Sequence, residues 1–181
     1  MTILVPLAAG LEEIEAITII DVLRRANINV ITAGINAKDI KGDHNITIKS
    51  DKIINNIDIK NFDGIFLPGG MPGAVNLRDN KYVINYVRSL YDDNKLVAAI
   101  CAAPIVLEKA GILKDKNATS YPGFDKEMES CNYIKKRIVK DDNVMTARGP
   151  GVALEFAIYL VNYLAGSKKA NDLKKAMLTN F

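Results

Sequence analysis

Four short runs of almost unbroken apolar sequence, each closed by small residues and most of them followed by helical sequence, leave this chain few folds to choose from. They are Ile3–Leu7, closed by Ala8-Ala9-Gly10; Ile28–Ala33, closed by Gly34; Gly64–Pro68, closed by Gly69-Gly70; and Leu96–Ile100, closed by Cys101-Ala102-Ala103. A strand with one wet face alternates apolar and polar residues, whereas a strand that is apolar throughout has to be covered on both faces. Helical stretches follow from Leu11 to about Ala26, from Pro72 to about Tyr91, and over Ala102–Ala110, where Gly111 stops the helix. This alternation predicts an α/β protein with a doubly wound, mostly parallel sheet and helices on both faces. Short segments near Ile46–Ile48 and Ile53–Ile54 read as a small hairpin or an edge element. A further strand is expected at Val144–Ala147, after Ile138-Val139, and two helices close the chain, Val152–Leu164 and about Asn171–Met177. With 181 residues and no repeat, low-complexity segment or linker, residues 1–181 read as a single domain.

The net charge of +3 is too small to mark a nucleic-acid binder. Lys135-Lys136-Arg137, Lys168-Lys169 and Lys174-Lys175 are short, and no aromatic residues interleave with them as stacking platforms would require. The longest apolar stretch, Val152 to Leu164, is broken by Glu155 and Asn162, so no membrane span is expected. The start, Met1-Thr2-Ile3-Leu4-Val5, has no positive flank and soon meets Glu12, Glu13 and Glu15, so it reads as a strand and not as a signal peptide. Two cysteines without a secretion signal predict reduced thiols and a cytoplasmic location.

In parallel sheets of this kind, ligands bind beyond the carboxyl ends of the strands. That rule selects Ala8–Gly10, Gly69-Gly70 and Cys101-Ala102. Cys101 directly follows an apolar strand, and Pro104 suits the first turn of the helix after it. A thiol at the positive end of a helix dipole is expected to have a lowered pKa. The Ala102 N–H would be free to form half of an oxyanion hole, in the manner of a nucleophile elbow. The plainer reading is a small buried hydrophobe. Cys131, in Glu129-Ser130-Cys131-Asn132, has no such context and reads as a bystander.

The first helix places Glu12, Glu13 and Glu15 on stripes shared with Ala16, Ile17, Ile19, Ile20, Val22 and Leu23. At least one of these carboxylates is therefore expected to be partly buried, which raises its pKa. Spacing leaves open which one. The same helix lacks a polar outer face, so a second copy of the chain is expected to cover it. Leu67-Pro68-Gly69-Gly70 matches neither the dinucleotide nor the phosphate-loop fingerprint. It reads as a tight turn, or as a loop whose Gly70 N–H is the second oxyanion donor. Arg148-Gly149-Pro150-Gly151 reads as a similar corner. His44, the single histidine, lies in a polar loop remote from the strand ends, so neither a zinc site nor a Cys–His dyad is expected.

Gly10-Leu11-Glu12-Glu13-Ile14-Glu15, Leu67-Pro68-Gly69-Gly70, Ala98-Ala99-Ile100-Cys101-Ala102-Ala103-Pro104 and Arg148-Gly149-Pro150-Gly151 together resemble the ThiJ/PfpI superfamily. Within it, the chain is similar to the branch holding the parkinsonism-associated protein deglycase and its YajL-like bacterial relatives. The resemblance implies a flavodoxin-like fold and a homodimer with the first helix at the interface. It also implies a reactive cysteine, matching Cys101, hydrogen-bonded to a protonated glutamate matching Glu15. Gly70 and Ala102 match the family's backbone donors, and Arg25 matches an arginine near its site. Protease-like members carry a histidine directly after the cysteine, where this chain has Ala102, so a peptidase is not implied. Deglycases often have a histidine before a later proline, where this chain has Tyr121-Pro122. A phenol can donate a hydrogen bond there but is a poor base at neutral pH.

The activity implied is that of a glyoxalase III or protein deglycase. It would be independent of metal and cofactor and would act on methylglyoxal, glyoxal or their early adducts. The alternative, from a different class, is a redox-sensing or chaperone-like stress protein working through oxidation of Cys101.

Overall fold

A computed structural model describes all of residues 1–181. A seven-stranded sheet runs through the molecule. Its strands are β1 (Thr2–Leu7), β2 (Asn29–Gly34), β5 (Lys52–Ile53), β6 (Gly64–Leu67), β7 (Leu96–Ile100), β10 (Ile138–Asp141) and β11 (Val144–Ala147), in the spatial order β10-β11-β7-β6-β1-β2-β5. Every pairing is parallel except β10 with β11 at one edge. The helices are α1 (Glu13–Arg25), α2 (Gly73–Arg78), α3 (Lys81–Asp92), α4 (Pro104–Ala110), α5 (Ala153–Ala165) and α6 (Ser167–Ala176). None is long and apolar enough to cross a membrane.

The period of two along each strand sorts side chains into two cores. Ile3, Val5 and Leu7 of β1, with Leu96, Ala98 and Ile100 of β7, face α1, α5 and α6. Leu4, Ile65, Val97 and Val144 form one row across β1, β6, β7 and β11 and face α2, α3 and α4. Each large side chain removed from water contributes about 2 kcal/mol, and both faces are filled in this way. The unbroken apolar runs of the sequence follow from this two-sided burial.

Three details differ from the sequence expectation. The helical stretch after Pro72 is two helices, because Asn80 accepts hydrogen bonds from Tyr82 N (3.0 Å) and Val83 N (3.2 Å) and so caps a new helix, α3. The segment at Ile46–Ile48 does not pair with Ile53–Ile54. It forms a separate hairpin in which β4 (Thr47–Lys49) pairs with β3 (Asp39–Lys41), while β5 joins the main sheet beside β2. A two-stranded patch of β8 (Asn117–Ala118) and β9 (Asn132–Tyr133) had no apolar run to announce it.

The chain leaves β1 toward β2 on one side and β6 toward β7 on the other. The strand order therefore reverses between β1 and β6, and their carboxyl ends form the crevice where ligands bind in sheets of this kind. The turns after β1, β6, β7 and β11 open on that end.

Candidate active site

Cys101 is the first residue past β7, and its N–H still donates to Ala147 O at 2.9 Å, so the sheet fixes its backbone. It adopts φ +62°, a left-handed conformation that costs a non-glycine residue roughly 1 kcal/mol or more. The strain turns the chain sharply into α4 and brings the thiol to the crevice. Its carbonyl accepts the Tyr121 N–H at 2.8 Å, which holds the Tyr121 loop beside it. The N–H groups of Gly70 and Ala102 point at the thiol, as the two predicted donors should.

Glu15, the third residue of α1, is fully buried. Its Oε2 accepts the Gly69 N–H at 2.8 Å. Oε1 is buried without a hydrogen-bond partner, and the carboxyl as a whole meets the Cys101 thiol. Burial pushes Glu15 up to about 7, against the lowering by the Gly69 N–H and by Cys101. Burial also pushes the Cys101 thiol up to about 12, and the negative charge of Glu15 adds to it. The dipole of α4 alone would lower the thiol, as the sequence leads one to expect. Desolvation and a facing carboxylate outweigh the Ala102 and Gly70 N–H groups, so the direction is reversed.

The two groups are best described as one pair that shares a proton. The first proton leaves the pair near neutrality and the second only at strongly basic pH. Between those limits the single charge sits either on the carboxylate or on the thiolate. With the proton on Glu15, the carboxyl is neutral beside the sulfur and favours the thiolate, the reactive form.

Two glycines that sequence reasoning left unassigned shape the site. A Cβ on Gly69 would lie 2.7 Å from both Cys101 Cβ and Glu15 Oε2, so only glycine lets the carboxyl and the thiol meet. Gly149 lies by Tyr121 and Cys101: a Cβ there would approach the Tyr121 ring to 3.1 Å and Cys101 Sγ to 4.0 Å. The signals available were the tandem at Gly69-Gly70 and the strand-to-helix corner at Arg148–Gly151.

The structure gathers Cys101, Glu15, Gly70, Ala102 and Tyr121 but not Arg25. That residue lies at the far end of α1, ten residues or about 15 Å along the helix from Glu15, exposed and paired with Asp21 at 2.7 Å. Within one chain its assignment to the site is corrected. The expectation for His44 also changes. The β3–β4 hairpin folds back over the start of α1, and His44 Nδ1 meets Glu13 Oε2 at 3.0 Å. Burial alone would raise Glu13, but N–H groups and the His44 ring hold it below the usual carboxylate range, and the same bond raises His44. Cys131 donates to Met128 O at 3.2 Å and has no carboxylate of this kind bonded to it.

Comparison with known proteins identifies the family. The DJ-1/PfpI family profile matches residues 1–163. The chain belongs to the DJ-1/PfpI family. It is 39% identical to protein dj-1beta of Drosophila melanogaster over 181 residues, covering 98% of this chain and 97% of the fly protein. The crystal structure of that protein superposes with a TM-score of 0.96 over 99% of this chain and 98% of the other, which establishes the flavodoxin-like DJ-1 fold. A Caenorhabditis elegans protein named glutathione-independent glyoxalase DJR-1.2 is 35% identical over 167 residues, 92% of this chain and 89% of the worm protein. Protein DJ-1 homolog B of Arabidopsis thaliana is 38% identical over 97% of this chain, yet the chain spans only 41% of its length.

Proposed function

We propose that this DJ-1/PfpI protein is a cysteine-dependent glyoxalase of the glyoxalase III or deglycase type, acting on methylglyoxal, glyoxal or their early adducts. The observation that carries the reading is the pairing of Cys101 with a buried carboxyl whose pKa of about 7 suits general acid–base work. The name of the worm relative at 35% identity supports it.

The steps follow from the pair. Cys101 thiolate adds to the aldehyde carbon, and the oxyanion, held by the Gly70 and Ala102 N–H groups, takes the Glu15 proton to give a hemithioacetal. Glu15 carboxylate then removes the hydrogen on that carbon to give an enediol, the hemithioacetal hydroxyl proton passes to the second oxygen, and Glu15 returns its proton to the neighbouring carbon. The first carbon is thereby oxidised to a thioester and the second reduced to an alcohol. Water hydrolyses the thioester, releases lactate from methylglyoxal and restores the thiol. Hydrogen moves only within the substrate and water is the sole co-reactant, so the chemistry calls for no resident cofactor. Tyr121 and the open face of Gly149 border the space where the second carbonyl would lie.

The test is lactate accumulation from methylglyoxal in amine-free buffer, with Cys101→Ser and Glu15→Ala in parallel. Sustained lactate from the native chain and none from either variant supports the reading. Loss of methylglyoxal without lactate is trapping and refutes it.

A second reading rests on Glu15 Oε1. Protonated at this unpartnered oxygen, the carboxyl beside Cys101 would hydrogen-bond a sulfinate there, and mild peroxide would oxidise this thiol selectively. A mass increase confined to Cys101, with no dicarbonyl turnover, favours a redox-sensing stress protein. The two free cysteines fit a reducing, cytoplasmic setting. Ile14 and Ile17, 57% and 46% exposed on the outer stripe of α1, support a homodimer formed through that helix.

A further inference from the structure

Glu12 and Glu13 at the start of α1 and His44 at the tip of the β3–β4 hairpin converge on one point that the Cys101 chemistry does not use. One ligand-type atom from each lies within 4.8 Å of the others. His44 Nδ1 is 3.0 Å from Glu13 Oε2 and 3.7 Å from Glu12 Oε1. Ligands held ~2.0–2.2 Å from a tetrahedral cation stand roughly 3.3–3.6 Å apart, so the two spacings bracket those of a filled coordination shell.

The arrangement is held from outside. The Glu13 side chain is 6% exposed and that of Glu12 14%, while the imidazole is 64% exposed, so two sheltered carboxylates face one imidazole that is open to solvent. The N–H groups of His44 (2.9 Å) and Ile46 (3.2 Å) occupy Glu13 Oε1, which aims Oε2 at the imidazole. The Glu12 N–H donates to Gly69 O at 2.9 Å. Gly10 N–H to Lys41 O and Asp43 N–H to Leu11 O, both 2.9 Å, fasten the hairpin to the loop before α1. A Cβ on Gly42 would collide with the Glu13 carboxylate, so glycine at the hairpin tip makes room for it. Groups that orient ligands in this way are the hallmark of built metal sites. The positive end of α1 opposes a cation, but its half charge is smaller than the two full charges of the carboxylates.

We infer that Glu12 Oε1, Glu13 Oε2 and His44 Nδ1 form a site for one divalent transition cation of the zinc type, with water completing the shell. Binding releases the Nδ1 proton to solvent and leaves the imidazole neutral with Nε2–H. The ion cancels the double negative charge and joins the hairpin to α1. One imidazole with two carboxylates suits zinc, manganese or iron(II), and not the soft ions that seek thiolates.

The test is calorimetric titration of the full reduced chain with zinc chloride, beside absorption spectra with cobalt(II). One ion per chain is expected, with visible cobalt bands and no thiolate charge-transfer band. The stoichiometry should persist when Cys101 and Cys131 are both changed to Ser. His44→Ala and the near-isosteric Glu12→Gln should each weaken binding by at least ~10-fold while the far-ultraviolet spectrum stays native. Affinity unchanged in both variants, a site lost with the cysteines, or no heat of binding from the folded native chain would overturn the assignment.

Discussion

The Gly69 N–H donates to one oxygen of Glu15 at 2.8 Å, and the other oxygen, buried beside the Cys101 site, has no hydrogen-bond partner. That bond gives the carboxyl a direction, and burial gives it a proton. The consequence for pH is specific. Glu15 rises from 4.5 to about 7 on folding, so the native state holds the proton more tightly than the unfolded chain. Stability from this group is therefore highest below pH 4.5 and declines as pH rises to about 7, by roughly 3 kcal/mol in all. Glu15→Gln should be more stable than the native chain in urea at pH 8, and the gain should shrink toward pH 5. Urea midpoints at the two pH values check this, and a gain that grew toward acid would have the wrong sign.

The same pair predicts the reactivity of the thiol. Iodoacetamide alkylation of Cys101 should rise through an apparent pKa near 7, when the pair loses its first proton and thiolate beside protonated Glu15 becomes available. In Glu15→Gln that step should vanish, leaving only the titration of an isolated buried thiol. Second-order rate constants from pH 5 to 9, read by intact mass, check it.

Gly69→Ala should disable the site more than it disturbs the fold. The new methyl group would stand 2.7 Å from both Cys101 Cβ and Glu15 Oε2, forcing the two apart. Both alkylation at pH 7 and any lactate formation should fall by at least ~10-fold, the scale set by misplacing reacting groups by an ångström. Alkylation rates comparable with the native chain would show that the contact is dispensable.

Cys101→Gly should be at least as stable as Cys101→Ala, although glycine in place of alanine ordinarily costs about 0.4–1 kcal/mol through the unfolded state. The left-handed φ of +62° is open to glycine without strain and not to alanine. Thermal midpoints of the two variants decide the comparison.

In the proposed dimer through α1, Ile17→Asp should leave only monomer at micromolar concentration. The side chain is 46% exposed beside Ile14 on α1, and a buried, unpaired carboxylate at a shared face is strongly disfavoured. Sedimentation velocity checks it, and a native chain that is already monomeric would remove the dimer from the account.

Strands β1, β6, β7 and β11 were legible because each is buried on both sides and so is written as an apolar run. The pairing partner of β4 was not, since Asp39-Ile40-Lys41 carries one apolar residue and owes its place to the hairpin's contact with α1. Cys101 stood out by its position after β7. Spacing could not choose among three glutamates, because α1 buries two of them, Glu13 against the hairpin and Glu15 against the thiol. Family resemblance singled out Glu15 correctly for the thiol. It did not locate Arg25, which stands at the opposite end of α1 paired with Asp21, because a motif match carries no distances. The direction of the Cys101 shift was missed because local sequence shows the helix behind a thiol and not the carboxylate in front of it.

The parallel register brings the ends of β1, β6, β7 and β11 level, so groups numbered 15, 69, 101 and 149 meet although each belongs to a different stretch of the chain. No contiguous fragment can carry the thiol, its carboxyl and their glycine spacers together. The site therefore assembles only with the last long-range pairings, and a normally reactive Cys101 doubles as a chemical stamp that the chain has finished folding.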